Sequence, residues 1–125
     1  MTPSPYRERI LDHYQRPRHR GSLEAPLAVG EIDNPVCGDQ VRIAVRLDAD
    51  ERVTAAFDGE GCILSMAAAS MLAEHVQGRP LSDVRALTDQ DILDLMEVEL
   101  GPVRVKCALL PLRALQAALE ELEDR

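Results

Sequence analysis

The alternation of apolar and polar residues between positions 41 and 57 limits the folds open to this chain more than any other feature. Side chains of a strand point alternately to opposite sides, so every second residue lies on the same face. Residues 48–51, Asp-Ala-Asp-Glu, interrupt the pattern as a turn would. The segment therefore predicts an antiparallel hairpin with one buried face. That apolar face comprises Val41, Ile43, Val45, Leu47, Val53, Ala55 and Phe57.

Two segments with helical periodicity can cover the buried face. The first runs from Ile63 to Gln77, is rich in Ala, Met and Leu, and is followed by Gly78, which is typical of a helix end. The second runs from about Val103 to Glu123 and has leucines at three- and four-residue spacing, which form one stripe. Pro111 is expected to kink this helix or to lie close to its first turn, because proline removes a helical hydrogen bond. The stripe is Leu109, Leu112, Leu115, Leu119 and Leu122.

Shorter elements complete the predicted fold. Residues 6–14 have a helical pattern, and a short strand fits near residues 29–33. Thr88 and Asp91 resemble a helix-start signal, although Asp is a weaker partner there than Glu or Gln. The expected class is α+β, a three-stranded antiparallel sheet with helices packed on one side. Without repeats or a linker, residues 1–125 are expected to form a single domain.

Composition and charge exclude several classes of function. A formal net charge of −8 and only three aromatic residues argue against a nucleic-acid surface. No apolar run approaches a membrane span, and residues 1–14 lack the apolar stretch of a signal peptide. We therefore expect a cytoplasmic protein with no nucleic-acid and no membrane partner. Arg16, Arg18 and Arg20 form a local basic segment, either a solvated turn or a docking patch for an acidic partner.

Each of the three cysteines lies at the boundary of a predicted element. Cys37 precedes the first hairpin strand, and in an extended backbone it projects to the same side as Asp39. Cys62 follows a Gly-Glu-Gly segment where the hairpin gives way to a helix, whose positive end favours a thiolate. Cys107 lies in or near the first turns of the last helix. Because three cysteines cannot all pair within one chain, they are better interpreted as thiols or metal ligands.

The three cysteines and Asp39 would supply a complete tetrahedral shell for zinc or iron. Three thiolates and a carboxylate around a divalent ion leave a charge of −2. Lys106, the only lysine among fourteen basic residues, is the candidate compensating cation. A carboxylate is displaced more easily than a thiolate, which favours a site that opens. On spacing alone the ordinary alternatives stay open: buried hydrophobic cysteines, a turn role for Asp39 and a solvated Lys106.

Four motifs stand in order along nearly the whole chain. They are Leu11-Asp12-His13-Tyr14 with Pro17-Arg18 and Gly21, Asn34-Pro35-Val36-Cys37-Gly38-Asp39, Gly59-Glu60-Gly61-Cys62, and Arg104-Val105-Lys106-Cys107-Ala108. Together they resemble the motifs of the U-type iron–sulfur scaffolds, the family of IscU, SufU and the N-terminal domain of NifU. The resemblance implies a protein that receives persulfide sulfur from a cysteine desulfurase. It then assembles a cluster on its cysteines or passes sulfur on toward apo iron–sulfur acceptor proteins.

The departures from the family concern the third motif and its surroundings. Lys106 replaces the histidine of IscU-type members, and residues 100–104, Leu-Gly-Pro-Val-Arg, are a degenerate form of their chaperone-binding segment. Both differences favour the SufU type, in which a tightly held zinc occupies the site. SufU proteins, however, usually have an insertion between the second and third cysteines, for which this chain is too short.

The resemblance also implies roles for the site residues. Cys37 is the expected acceptor of the persulfide sulfur, and Asp39 is a ligand or modulator of the site. Cys107 is the alternative acceptor, because Lys106 beside it could stabilise an anion. The chain is then either a zinc-dependent sulfurtransferase or a scaffold that holds a [2Fe–2S] cluster on Cys37, Cys62 and Cys107. A further alternative is a structural zinc module that only docks a protein partner.

Overall fold

The computed structural model describes residues 5–35 and 38–123 of the chain. The hairpin strands, the short strand before them and both long helices lie where the sequence predicts them. The elements in chain order are α1 (Pro5–Gln15), β1 (Ala28–Asn34), β2 (Asp39–Leu47), β3 (Val53–Glu60), α2 (Ile63–Val76), α3 (Leu81–Arg85), α4 (Asp89–Met96) and α5 (Pro102–Glu123).

The strands form one antiparallel sheet in the order β1-β2-β3. The register places Ile43 of the central strand between Gly30 on one side and Phe57 on the other. Ile43 and Phe57 are buried, whereas Arg42 points to the opposite face and is exposed. The predicted hairpin and its single buried face are therefore confirmed.

Two helices cover the buried face of the sheet. The long helix α5 packs against β1 and β2, and α2 packs against β2 and β3. All five leucines of the predicted stripe are buried against this layer. Where α5 crosses β1, a Cβ built on Gly30 would lie only 1.9 Å from the backbone oxygen of Ala114. This backbone-to-backbone contact requires glycine, and it fixes the height of α5 above the sheet. The predicted α+β class, with helices on one side of the sheet, is confirmed.

The N-terminal helix α1 packs on the outer side of α2. His13 is buried there, and its Nδ1 lies 2.8 Å from Oγ of Ser70. The backbone N–H of Arg18 donates to the same hydroxyl at 2.8 Å. Burial lowers the pKa of His13 below its ordinary value of 6.5, and the nearby Arg18 acts in the same direction. These bonds hold the end of α1 and the residues after it against the middle of α2.

The basic segment after α1 is largely neutralised within the chain. Arg16 and Arg18 both contact the carboxylate of Asp12, at 3.1 and 2.6 Å, and Arg20 contacts Asp58 at 3.4 Å. The hydrogen bond from Arg18 is the largest cause of a lowered pKa at Asp12. Because its arginines already contact carboxylates of the same chain, this segment is better interpreted as a solvated basic turn than as a docking patch for an acidic partner.

Two short helices, α3 and α4, connect α2 to α5, and the sequence predicted only the start of α4. Thr88 caps α4 through a complete capping box, in which Asp91 takes the role that Glu or Gln usually has. The helix α3 was not predicted, because five residues after a proline are too few to show periodicity. Pro111 lies inside α5 and not in its first turn. Within the described residues, no helix is long and apolar enough to cross a membrane.

Candidate metal and sulfur site

Asp39 lies at the start of β2 with its carboxylate turned into the protein. The residue is only 2% exposed. Its Oδ1 accepts a hydrogen bond from the backbone N–H of Cys62 at 3.0 Å, and its Oδ2 lies 3.5 Å from the Cys62 sulfur. A buried carboxylate is costly unless it is hydrogen-bonded, and the contacts with Cys62 give each of its oxygens a partner. Asp39 is the first residue of strand β2 and is buried, which disfavours the alternative of a simple turn role.

Cys62 is the N-cap residue of α2, as the sequence predicted from the Gly-Glu-Gly segment before it. Its backbone is extended, and its sulfur accepts a hydrogen bond from the backbone N–H of Ser65 at 3.4 Å. The residue is exposed. A sulfur at this position faces the unpaired N–H groups of the first helical turn, where negative charge is stabilised.

Cys107 approaches the other two residues from α5. It lies in the second turn of that helix and is 5% exposed. One ligand atom each from Asp39, Cys62 and Cys107 lie within 4.8 Å of one another. Three elements that are separate in sequence thus bring two sulfurs and a carboxylate together at one point.

The spacing of these atoms fits a tetrahedral metal ion. With bonds of about 2.3 Å to sulfur and about 2.0 Å to oxygen, ligand atoms around zinc lie roughly 3.5–3.8 Å apart. The 3.5 Å between Cys62 Sγ and Asp39 Oδ2 already has this value. The other separations are also at most 4.8 Å. Two sulfurs and one carboxylate leave one position of the tetrahedron for a further ligand.

An open cavity of about 940 Å³ gives access to the two cysteines. Its wall is mainly apolar, with Tyr14 from α1 and Leu64 from α2, and its charged members are Glu99 and Arg104. Arg104, not Lys106, is therefore the cation that lines the cavity, while Lys106 is exposed on α5. The expectation that Lys106 is the compensating cation gains no support from this arrangement.

Gly61 and Ser65 also shape the site, and neither was predicted from the sequence as a site residue. A Cβ built on Gly61 would lie 2.5 Å from Oγ of Ser65 and 2.8 Å from Oδ1 of Asp39. Ser65 is fully buried and contacts Cys62 with both its hydroxyl and its backbone amide. The three-residue spacing from the cap to a polar residue was a usable signal, because it is the spacing of a capping box. The remaining predicted site residue, Cys37, lies outside the described residues, and its role stays a prediction.

Comparison with known proteins gives a consistent result. The family model described as NifU-like N terminal domain matches residues 5–125. The zinc-dependent sulfurtransferase SufU of Bacillus subtilis (strain 168) is 34% identical, covering 94% of this chain and 91% of SufU. The iron–sulfur cluster assembly scaffold protein IscU of Haemophilus influenzae is 32% identical, covering 96% of this chain and 97% of IscU.

A solved structure supports the fold independently. The N-terminal part of a nitrogen-fixing NifU-like protein from Brucella abortus matches with a TM-score of 0.76 and 24% identity, covering 96% of this chain and 95% of that one. The alignment with SufU extends over 135 positions but contains about 118 residues of this chain, 94% of 125, which leaves roughly 17 positions without a counterpart here. This difference in length is consistent with the absence from this chain of the insertion that SufU proteins usually have between the second and third cysteines. The chain belongs to the NifU-like N-terminal domain family, whose members here include relatives of the SufU and IscU types.

Proposed function

We propose that this chain is an iron–sulfur cluster assembly protein that accepts persulfide sulfur from a cysteine desulfurase. The sulfur is then built into a cluster or passed toward apo acceptor proteins in the cytoplasm. The observation that carries the proposal is the convergence of Asp39, Cys62 and Cys107 within 4.8 Å, with both cysteines in the wall of an open cavity. A buried carboxylate beside two sulfurs has metal-ligand chemistry, and the open cavity leaves room for a donor to approach.

The donor set favours zinc or iron, held by Cys37, Asp39, Cys62 and Cys107. Thiolates select zinc and iron among common metals, and a single carboxylate is compatible with both. When bound, such an ion keeps the thiolates deprotonated and protected from oxidation. The chain itself orients the ligands: the backbone N–H of Cys62 holds one oxygen of Asp39, which leaves the other oxygen facing the Cys62 sulfur.

The sulfur-transfer step is assigned to Cys37, with Cys107 as the alternative. The acceptor thiolate attacks the terminal sulfur of the desulfurase persulfide, and a new sulfur–sulfur bond forms on this chain. The sulfur–sulfur bond of the donor breaks, and the desulfurase cysteine leaves as a thiolate. The exchange is redox-neutral, since one disulfide-type bond replaces another and no external oxidant or reductant is needed.

Exposed apolar residues around the cavity support docking of a protein donor. Tyr14, Ile63 and Val103 are the exposed large hydrophobic residues of the part of the chain that the structure describes. Tyr14 and Ile63 line the cavity, and Val103, 67% exposed, precedes the lining residue Arg104. Apolar surface gathered around one opening is typical of a surface that a partner covers.

Two observations favour a zinc-dependent sulfur acceptor over a [2Fe–2S] scaffold. Lys106 stands where IscU-type members have a histidine, and the relative at 34% identity is named a zinc-dependent sulfurtransferase. The scaffold alternative is supported by the IscU relative at 32% identity, which is only slightly lower. We therefore propose zinc as the resident metal, with cluster assembly as the second candidate.

The test combines elemental analysis of the isolated protein with a desulfurase assay in its presence. About one zinc per chain and faster desulfurase turnover support the sulfur acceptor. Iron with acid-labile sulfide and little acceleration supports the scaffold instead. No acceleration and no cluster, together with partner function retained by a folded variant lacking all three cysteines, overturn both and leave a structural zinc module.

The acceptor is identified with the Cys37→Ser variant, whose matched controls are Cys62→Ser and Cys107→Ser. Sulfur label from the desulfurase should be lost on replacing Cys37 and mapped to Cys37 in the wild type. Normal labelling of Cys37→Ser, with loss in Cys107→Ser, would transfer the role to Cys107.

A further inference from the structure

Ser65 lies in the first turn of α2 and contacts Cys62 through both its hydroxyl and its backbone N–H. Its hydroxyl donates to the carbonyl oxygen of Cys62 at 3.1 Å and lies 3.6 Å from the Cys62 sulfur. Its backbone N–H donates to the same sulfur at 3.4 Å. Ser65 has no solvent exposure, so its hydroxyl cannot exchange these contacts for water.

Cys62 is thereby fixed at both of its peptide groups. Asp39 accepts from its N–H on one side, and Ser65 donates to its carbonyl on the other. The carbonyl also accepts the helical bond from Met66 at 3.1 Å. Because that helical bond remains without the serine hydroxyl, the hydroxyl is not needed to satisfy the carbonyl. Its position beside the sulfur therefore has a consequence beyond helix capping.

The space around Gly61 reinforces this arrangement. An added Cβ at Gly61 would meet the Ser65 hydroxyl at 2.5 Å and the Asp39 carboxylate at 2.8 Å, so both side chains close on this peptide. Rotation about the Cβ–Oγ bond of Ser65 can redirect its hydroxyl hydrogen from the Cys62 carbonyl oxygen to the Cys62 sulfur, and no carbon atom has to move. When Cys62 is a thiolate, its sulfur only accepts hydrogen bonds, and a buried hydroxyl 3.6 Å away is placed to donate to it.

We propose that Ser65 is a positioning residue that keeps the Cys62 sulfur as the stationary ligand of the site. It acts through Cys62 and does not touch the donor. The inference rests on the proposed function. It gives the cysteines different roles, because Cys62 stays bound to the metal while another cysteine leaves the metal to take up sulfur. Partners that orient a metal ligand in this way typically change metal affinity by roughly 10- to 100-fold when removed.

The test compares Ser65→Ala with Ser70→Ala. Ser70 is the matched control, because it lies on the same helix, is equally buried and bonds to His13 and Arg18 instead of the site. Each variant is loaded with zinc, and release to a chromophoric chelator is followed without any desulfurase. Cobalt is then substituted for zinc, and the sulfur-to-cobalt absorption reports the geometry of the ligands. Ser65→Thr, which keeps the hydroxyl, is the rescue variant.

We expect Ser65→Ala to release zinc about tenfold faster, with an altered cobalt spectrum, and Ser70→Ala to stay within about twofold of the wild type. Ser65→Thr should restore slow release. Equal release from both alanine variants, or an unchanged cobalt spectrum in Ser65→Ala, overturns the positioning role while the proposed function stands. Selective acceleration in a protein that never accepts sulfur supports the positioning role and overturns the proposed function. Failure of the wild type to bind either metal overturns the positioning role and the zinc-dependent form of the proposed function, and leaves the [2Fe–2S] scaffold.

Discussion

Replacing Gly61 by alanine tests whether the site depends on the close approach of Asp39 and Ser65. The new Cβ would lie 2.8 Å from Oδ1 of Asp39, which is 0.6 Å short of the 3.4 Å where ordinary contact begins. The new Cβ would also lie 2.5 Å from Oγ of Ser65, which is 0.9 Å short of the same limit. Gly61 is not among the glycines with positive φ, so alanine adds a steric change without backbone strain.

The displaced group is a proposed metal ligand, so the magnitude follows from metal geometry. Metal–ligand distances are held to within about 0.2 Å, and a retreat of Asp39 by roughly 0.6 Å exceeds this tolerance. The same retreat lengthens its 3.0 Å bond from the Cys62 N–H. We expect zinc affinity to fall by about 10- to 100-fold, or about 1.4–2.7 kcal/mol.

The assay is a competitive zinc titration against a chelator of known affinity, with circular dichroism to establish folding. Gly101→Ala is the matched control, because a Cβ at Gly101 meets nothing within 4 Å and its φ is not positive. If folded Gly61→Ala binds zinc within about twofold of Gly101→Ala, Asp39 is not held as a ligand by this contact.

Three other perturbations probe the fold and the site. Gly30→Ala should destabilise the protein in urea by about 1–3 kcal/mol or more, because its Cβ would collide with the backbone of Ala114; an unchanged midpoint would contradict the backbone contact. Burial lowers the pKa of His13, so the unfolded chain binds the proton first and stability should fall as pH drops below 6.5. His13→Gln should flatten that dependence in urea titrations between about pH 5 and pH 7, and an equally steep loss would assign it elsewhere. Asp39→Ala should speed zinc exchange, and unchanged exchange kinetics would remove Asp39 from the ligand set.

Much of the fold could be read from local pattern, because the elements that build the core are long and strongly periodic. The alternation through Ile43 and Phe57 defined both strands and the face they bury, and the structure keeps that face. The helix-start signal at Thr88 was also local and is confirmed. The five residues of α3 carried no such signal, since one turn and a half of helix cannot show a period.

The site could be predicted only in part, because its assembly depends on long-range packing. The positions of Cys62 at a helix start and Cys107 early in the last helix follow from breaks in the sequence. Their approach to within 4.8 Å depends on how α5 crosses α2 and the sheet, which no local pattern specifies. The contribution of Ser65 was visible only in part, because its three-residue spacing from Cys62 is that of a capping box, whereas its contact with the sulfur depends on the folded geometry. Adjacency to Cys107 in sequence was a poor guide for Lys106, because neighbouring residues of a helix lie on different sides of it.

The contact between Gly30 and Ala114 has a mechanical consequence for any donor that approaches the cavity. Cys107 lies seven residues before Ala114 on the same helix, or about 10 Å along its axis. Because backbone presses on backbone at that crossing, α5 cannot sink toward the sheet or roll across it without breaking the contact. This contact holds α5 in place, so movement of the helix does not bring Cys107 closer to an incoming sulfur. If Cys107 is the acceptor, the donor must therefore bring its persulfide into the cavity, because movement of α5 does not carry the cysteine outward.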